Sequence, residues 1–233
     1  SATVVANKLA LANTECGRIA RASGGNPLFV RELALHATTS ARDAELPQSL
    51  TAVMDDRLAR LNAVQVRVLR LTAFLGAHAT VARLRTVSKL ESDALSQAME
   101  VLEHEGMVRM TSTRALRLHD CWQTAVVDRT SPVTRASLSL DCAENLAAAS
   151  IELDSDHRAW HAAELFAQAG DADRASTLFL QVADQMCARS LDVDACIVLE
   201  RSLELAGEDR PLLSHRARYA RALFSCERIP DAL

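Results

Sequence analysis

Apolar residues recur along most of this chain with the three-to-four-residue period of a helix that buries one side, and the places where that period fails mark the joints between elements. Residues 14–22 read as a first helix. The turn Ser23-Gly24-Gly25-Asn26 follows, and then a second helix over 27–37 opens on Pro27. Proline suits a first helical position because its missing N–H has no intrahelical partner there. Leu28, Val30, Leu33 and Leu35 supply the expected apolar side of that helix. Residues 38–47 are polar and turn-like and separate two packing units.

The spacing of Leu50, Val53, Met54, Leu58 and Leu61 predicts a helix over 48–61, and 64–75 is a second, more apolar one. Gly76 stops it, 80–90 forms a short third helix, and Ser92 is expected to cap a fourth that carries Leu95, Met99 and Leu102 inward. After Gly106 the period changes. Residues 107–110, a polar Thr111-Ser112-Thr113 and the alternating run 114–119 read as a β-hairpin, with a helix over 121–127 behind it. Helices followed by such a hairpin describe a winged-helix domain over 48–129. Beyond it, 132–233 is helical almost throughout, with breaks near 153–155, 170–171, 190–192 and 207–209. Asp173-Arg174-Ala175, Val193-Asp194-Ala195 and Pro230-Asp231-Ala232 recur at helix starts, and the longer of their spacings is near that of a helix-pair repeat. Stacked hairpins are therefore expected, tetratricopeptide-like and cut short inside a repeat, so the chain reads as a piece of a longer protein.

Composition agrees with this mainly α reading. The 233 residues are 49% hydrophobic and 24% charged, with only seven Gly and five Pro to interrupt helices, which excludes a disordered chain. No run reaches the roughly 20 apolar residues that a bilayer demands, and no secretory leader opens the sequence, so a cytoplasmic protein without a membrane partner is expected. Six cysteines occur without a C-x-x-C pair and read as reduced, packed small residues. The formal charge of −4 argues against a broad nucleic-acid-binding field. No phosphate-binding G-x-x-x-x-G-K-S/T loop, H-E-x-x-H, G-x-S-x-G or G-x-G-x-x-G occurs, so the chain is expected not to be an enzyme by itself.

Four places carry candidate chemistry. The Gly24-Gly25-Asn26-Pro27 turn either only joins two helices or presents a proline ring and nearby amides to a flat ligand such as a nucleotide base. His119, at the end of the second hairpin strand, can donate to a phosphate oxygen, and Asp120 can cap the next helix; the competing reading is a histidine packed at a strand end. His157 and His161 share a helix face at ligand spacing, but no third ligand stands near them in sequence, so no metal is assigned. The would-be recognition helix carries Glu91, Asp93, Glu100, Glu103 and Glu105 and no Lys or Arg, which sets it against DNA phosphates. Arg83, Arg85 and Lys89 on the preceding helix are expected to pair with acidic neighbours.

Taken in order, residues 22–33 (Ala-Ser-Gly-Gly-Asn-Pro-Leu-Phe-Val-Arg-Glu-Leu), Leu46-Pro47-Gln48-Ser49-Leu50, Arg57-Leu58-Ala59-Arg60-Leu61, Leu102-Glu103-His104-Glu105-Gly106-Met107-Val108 and Leu116-Arg117-Leu118-His119-Asp120 resemble the STAND-class signal-transduction ATPases. The similarity is to the bacterial multidomain transcription activators of LuxR type and to the cyclase-associated members. It covers about residues 12–150, with a looser match to the repeats that follow, and the Gly-Asn-Pro-Leu-Phe block is its most specific part.

The resemblance implies that 1–47 are the remnant of an ATPase's helical lid. Pro27 then borders the adenine, supported by Gly25 and Asn26, and His119, supported by Asp120, contacts the β-phosphate of ADP. The P-loop and the Mg²⁺-holding strand are absent from these residues. No cofactor is therefore expected on this piece, with ADP or ATP and Mg²⁺ belonging to a full-length parent. The implied partners are the rest of the ATPase domain in cis, an effector protein or small molecule on the helical repeats, and further copies in an activated oligomer. Two other readings stay open: a nucleotide-independent adaptor that binds protein through its repeats, and a winged-helix DNA-binding regulator.

Overall fold

A computed structural model describes residues 13–24, 27–39, 47, 49–112, 114–118, 120–148, 155–206 and 213–226. The fold is mainly α, as expected. The chain divides into two compact units, residues 1–66 and 67–233, and the division falls within one helix.

The first unit holds α1 (Asn13–Ala22), α2 (Pro27–Thr39) and α3 (Leu50–Ala59), with α1 packed on α2 and α2 on α3. Its apolar cluster is small: Ile19, Phe29, Val30, Leu33, Ala34 and Val53, flanked by Ala37 and Leu50. The inward face of α2 is therefore set by positions 29, 30, 33 and 34, and Leu35, expected in the core, is only half-buried. The cause lies three positions away. Glu32 is fully buried on the same face and pairs with the buried Arg57 of α3, so the helix is rotated to bury a charge pair along with the apolar residues. Ser49 starts α3, its hydroxyl accepting from the Ala52 N–H at 3.1 Å.

The helix α4 (Ala63–Leu75) carries the chain across the division, and its buried run Val68, Leu69, Leu71, Ala73, Phe74 and Leu75 belongs to the second unit's core. A 3₁₀ turn (Gly76–His78), α5 (Val81–Ser88) and α6 (Ser92–His104) follow. Thr80 caps α5, its side chain accepting from the Arg83 N–H. Ser92 does not cap α6 as expected; it is the first helical residue, and Glu91 holds the cap position without a side-chain bond. Gly106, at φ 67°, ends α6 with the Met107 N–H donating to the Leu102 carbonyl, a helix stop that glycine accommodates without strain.

Strands β1 (Val108–Met110) and β2 (Leu116–Leu118) pair antiparallel, Val108 opposite Leu118 and Met110 opposite Leu116. Thr80 adds a bridge to Ala115, and the Leu116 N–H donates to the Ala79 carbonyl at 2.7 Å, so the hairpin is sewn to the turn ahead of α5. Then come α7 (Asp120–Asp128) and the succession α8 (Pro132–Ala148), α9 (Ser155–Gln168), α10 (Ala172–Ala188), α11 (Asp192–Ala206) and α12 (Leu213–Ser225), each packed on the next. The helix expected around Pro230 lies outside the described residues, as does the break near 153.

The recurrent small residues explain this stacking. Ala175 and Ala195, which close two of the repeated triplets, are both fully buried, letting neighbouring helices approach closely. Phe179, also fully buried, meets Trp160 of α9 edge-on with ring centroids 6.2 Å apart. Ion pairs then join helices two apart in order. Glu144 of α8 pairs with Arg174 of α10, Glu164 of α9 with Arg201 of α11, and Asp184 of α10 with Arg218 of α12, at 2.9, 2.9 and 2.6 Å. The succession is thus a helical solenoid with apolar layers inside and charged rungs outside.

Candidate functional site

The glycine-proline turn is the first of the sequence-derived features. α1 runs out at Ser23, whose hydroxyl donates to the Ala20 carbonyl, and Gly24 adopts φ 54°, which an L side chain would resist. Pro27 then opens α2 and is exposed. The supporting Gly25 and Asn26 lie outside the described residues, and so does His119. Asp120 is the first residue of α7. Pro27 and Asp120 belong to different compact units, each of which stands as its own body.

Behind the exposed proline, α2 is fastened to α3 by the Glu32–Arg57 pair, and His36 of α2 lies 3.4 Å from Asp56, which also holds Arg60. Burial holds the His36 imidazole below the ordinary histidine range, against the pull of the Asp56 carboxylate. Pro27 thus opens a helix that a buried ion pair joins to its neighbour. Both Glu32 and Arg57 stand in the blocks that carry the resemblance, yet nothing in their spacing showed that they meet.

A second arrangement was only half visible in sequence. His157 and His161 do share a face of α9, and a third histidine joins them: His78, from the 3₁₀ turn after α4. His78 Nε2 lies 3.2 Å from His157 Nδ1, and its ring centroid is 5.3 Å from that of His157 and 5.6 Å from that of His161. Gly76 makes the approach feasible, since a Cβ there would sit 3.3 Å from His161 Cε1. Burial, followed by the neighbouring His157, holds His161 below the usual histidine range, while a hydrogen bond to the Phe74 backbone opposes both. Among the described residues, no group of three or more His, Cys, Asp or Glu is arranged to hold a metal ion.

Two of the concavities in the second unit bear on the site. One, about 420 Å³, is walled by Phe74, Gln123, Val127, His161 and Leu165, where α4, α7 and α9 meet, and Gln123 reaches across to the Ala73 carbonyl. The other, about 570 Å³, lies on the solenoid between Ala147, Ala148, Phe166, Leu178 and Gln181. Arg174 covers the Phe166 ring at 4.5 Å and is held there by Glu144 and Asp171. This floor is apolar with a fixed charged rim, as a peptide or small effector would need.

The outer surface of α6 is acidic. Glu91, Asp93, Glu100 and Glu103 are exposed, and Glu103 also accepts from the Met110 N–H, tying the helix to β1. Arg83 turns to the His78 carbonyl at 3.4 Å. Of the cysteines, Cys16, Cys142, Cys187, Cys196 and Cys226 are free thiols, and burial pushes Cys142 up to about 12, which makes it inert as a nucleophile. No helix among the described residues is long and apolar enough to cross a membrane.

No family model and no curated protein matches the sequence. One solved structure does share the fold. It is a Signal Transduction ATPase with Numerous Domains (STAND) protein with a tetratricopeptide repeat sensor, from Pyrococcus horikoshii, with a TM-score of 0.54 and 10% sequence identity. The likeness covers 99% of this chain and 38% of that protein, so the chain spans well under half the length of its structural neighbour.

Proposed function

We propose that this chain is the regulatory and sensor region of a nucleotide-switched signalling ATPase of the STAND class, with no catalysis of its own. The observation that carries the reading is the likeness in fold to a STAND protein with a repeat sensor, which extends over 99% of this chain. In this reading residues 1–47 are the end of the ATPase lid, 48–129 a winged-helix relay and 132–233 a tetratricopeptide-like sensor arm. The succession from α4 through the Thr80 bridge, α5 and α6 to the β1–β2 hairpin has the winged-helix order and supports the relay assignment. Its acidic α6 disfavours a role in reading DNA directly.

Pro27 fits a nucleotide base in one respect that can be checked, because it is exposed at the mouth of a helix fixed by a buried ion pair. In the full-length protein it would border the adenine, and His119 would face the phosphates, with Mg²⁺ and the phosphate loop supplied by the remainder of the ATPase. The bound nucleotide would supply the energy difference between two arrangements. Effector binding on the solenoid would shift their populations by favouring the open one, from which an oligomer and a transcriptional or other output follow. The cytoplasm suits such a switch.

Replacing His119 by Leu in the full-length protein tests the relay. Loss of co-purifying ADP together with raised basal signalling is expected; unchanged nucleotide content and unchanged signalling would overturn it. The apolar floor beside Phe166 and Leu178 also favours a second reading, an adaptor that binds a partner without any nucleotide. Partner binding that is equal in ADP and ATP would select that reading.

A further inference from the structure

The two helices α11 and α12 leave one side of the solenoid open. We propose that their outward sides form a self-complementary docking face, on which a second copy of this chain packs about a two-fold axis parallel to the helices.

The face follows from how the two helices are fastened. α10 packs on α11, and α12 reaches α10 through His215, which donates to the Ser176 carbonyl at 3.0 Å, and through Arg218, which pairs with Asp184. The buried residues Ala195, Val198 and Leu199 of α11 and His215, Ala222 and Leu223 of α12 mark these inner sides. The opposite sides are exposed. Val193 and Ile197 stand one helical turn apart on α11, and Leu213, Ala217 and Phe224 lie along one line of α12. With Leu191 just ahead of α11, this end carries five of the seven large apolar side chains that are exposed among the described residues, Val193 and Phe224 at 64% and 65%. A single exposed apolar residue is ordinary, whereas such a cluster marks a contact.

The charges select the occupant. Tyr219 of α12 donates to Glu200 of α11, which fixes the antiparallel register and sets the start of α11 beside the end of α12. There Asp194, next to Val193, flanks the face on the α11 side, and Arg221, one turn before Phe224, flanks it on the α12 side. Both are exposed. Neither is in an ion pair among the described residues, although Arg221 lies near the Cys187 thiol. The face thus has one acidic flank, one basic flank and apolar residues between them.

A two-fold rotation about an axis along the helices exchanges the flanks and keeps their level. It lays α11 of each copy antiparallel on α12 of the other, as in a four-helix bundle. Asp194 of each copy then faces Arg221 of the other, and Phe224 of each meets Val193 and Ile197 of the other. An axis across the helices would instead stack α12 on α12 and bring their arginines together, which like-charge repulsion disfavours. The face lies wholly within the second unit and is independent of any nucleotide.

Sedimentation velocity of the whole 233-residue chain, from about 1 to about 100 μM, tests the proposal. A reversible dimer is expected. Phe224→Glu, Asp194→Arg and Arg221→Asp should each weaken it on the order of tenfold or more. All three side chains are exposed, so the variants should fold, with circular dichroism as the check. An equimolar mixture of Asp194→Arg with Arg221→Asp should dimerise about as well as the wild type, because each contact between flanks then again joins an acid to a base. A monomer at every concentration, as when another part of the chain covers the face, would overturn the proposal. So would a dimer that none of the three substitutions weakens, or a mixture that associates no better than its components.

Discussion

The two compact units use the same chemical pair, an arginine and a carboxylate, in opposite ways. In the first unit, whose apolar cluster is small, Glu32 and Arg57 meet inside the protein at 0% and 5% side-chain exposure. In the second, the arginines of the rungs stand 39–47% exposed on the outside of a solenoid whose layers are already filled by Phe179, Val182, Val198 and Leu199. Burial, and not the pairing itself, decides what an ion pair does. A buried pair adds little net stability but punishes the loss of either partner, so it specifies one arrangement of α2 on α3. An exposed pair is screened by water and salt and contributes little.

Removal of one buried partner is expected to have the largest effect. Arg57→Ala leaves Glu32 charged and alone in the core, and should destabilise the first unit by about 3–5 kcal/mol, as read from urea unfolding or local hydrogen exchange. Replacing both residues by leucine should recover much of that loss. By contrast, Arg201→Ala, which removes the bidentate pair with Glu164, should cost only about 0–1 kcal/mol after screening, and the cost should shrink in high salt. A loss at Arg201 equal to that at Arg57 would contradict the account.

A gain of similarly small size is expected at the second unit's own joints. The helix stops after α9 and α10 have the same hydrogen bonds: Asp171 N–H to the Phe166 carbonyl, and Leu191 N–H to the Met186 carbonyl, both 2.9 Å. The first uses Gly170 at φ 84°, the second Ser190 at φ 60°, where a side chain is strained. Ser190→Gly should therefore raise stability by about 0.5–1 kcal/mol, measurable as a higher urea midpoint.

These features were unequally legible in the sequence. Helix and hairpin positions followed from period and glycine placement, because each depends on neighbours in the chain. Burial of Glu32 did not, since a glutamate in an apolar stretch is ordinarily placed at the surface and its partner lies in another helix. The same holds for the histidines. His157 and His161 were visible as a pair on one helix turn, but His78 joins them only through the packing of α9 against the turn after α4. Pro27 was legible as a helix start, and it is one. The reason for its position, a glycine turn with an N–H-free first residue, is entirely local.

The rate at which labelled ADP leaves the full-length protein tests the proposal that Pro27 borders the adenine and His119 the β-phosphate. Pro27→Ala and His119→Leu should each speed release, on the order of tenfold, and the double variant should show an effect smaller than the product of the two, because both residues act on one bound molecule. Release at the wild-type rate in both single variants would contradict the claim.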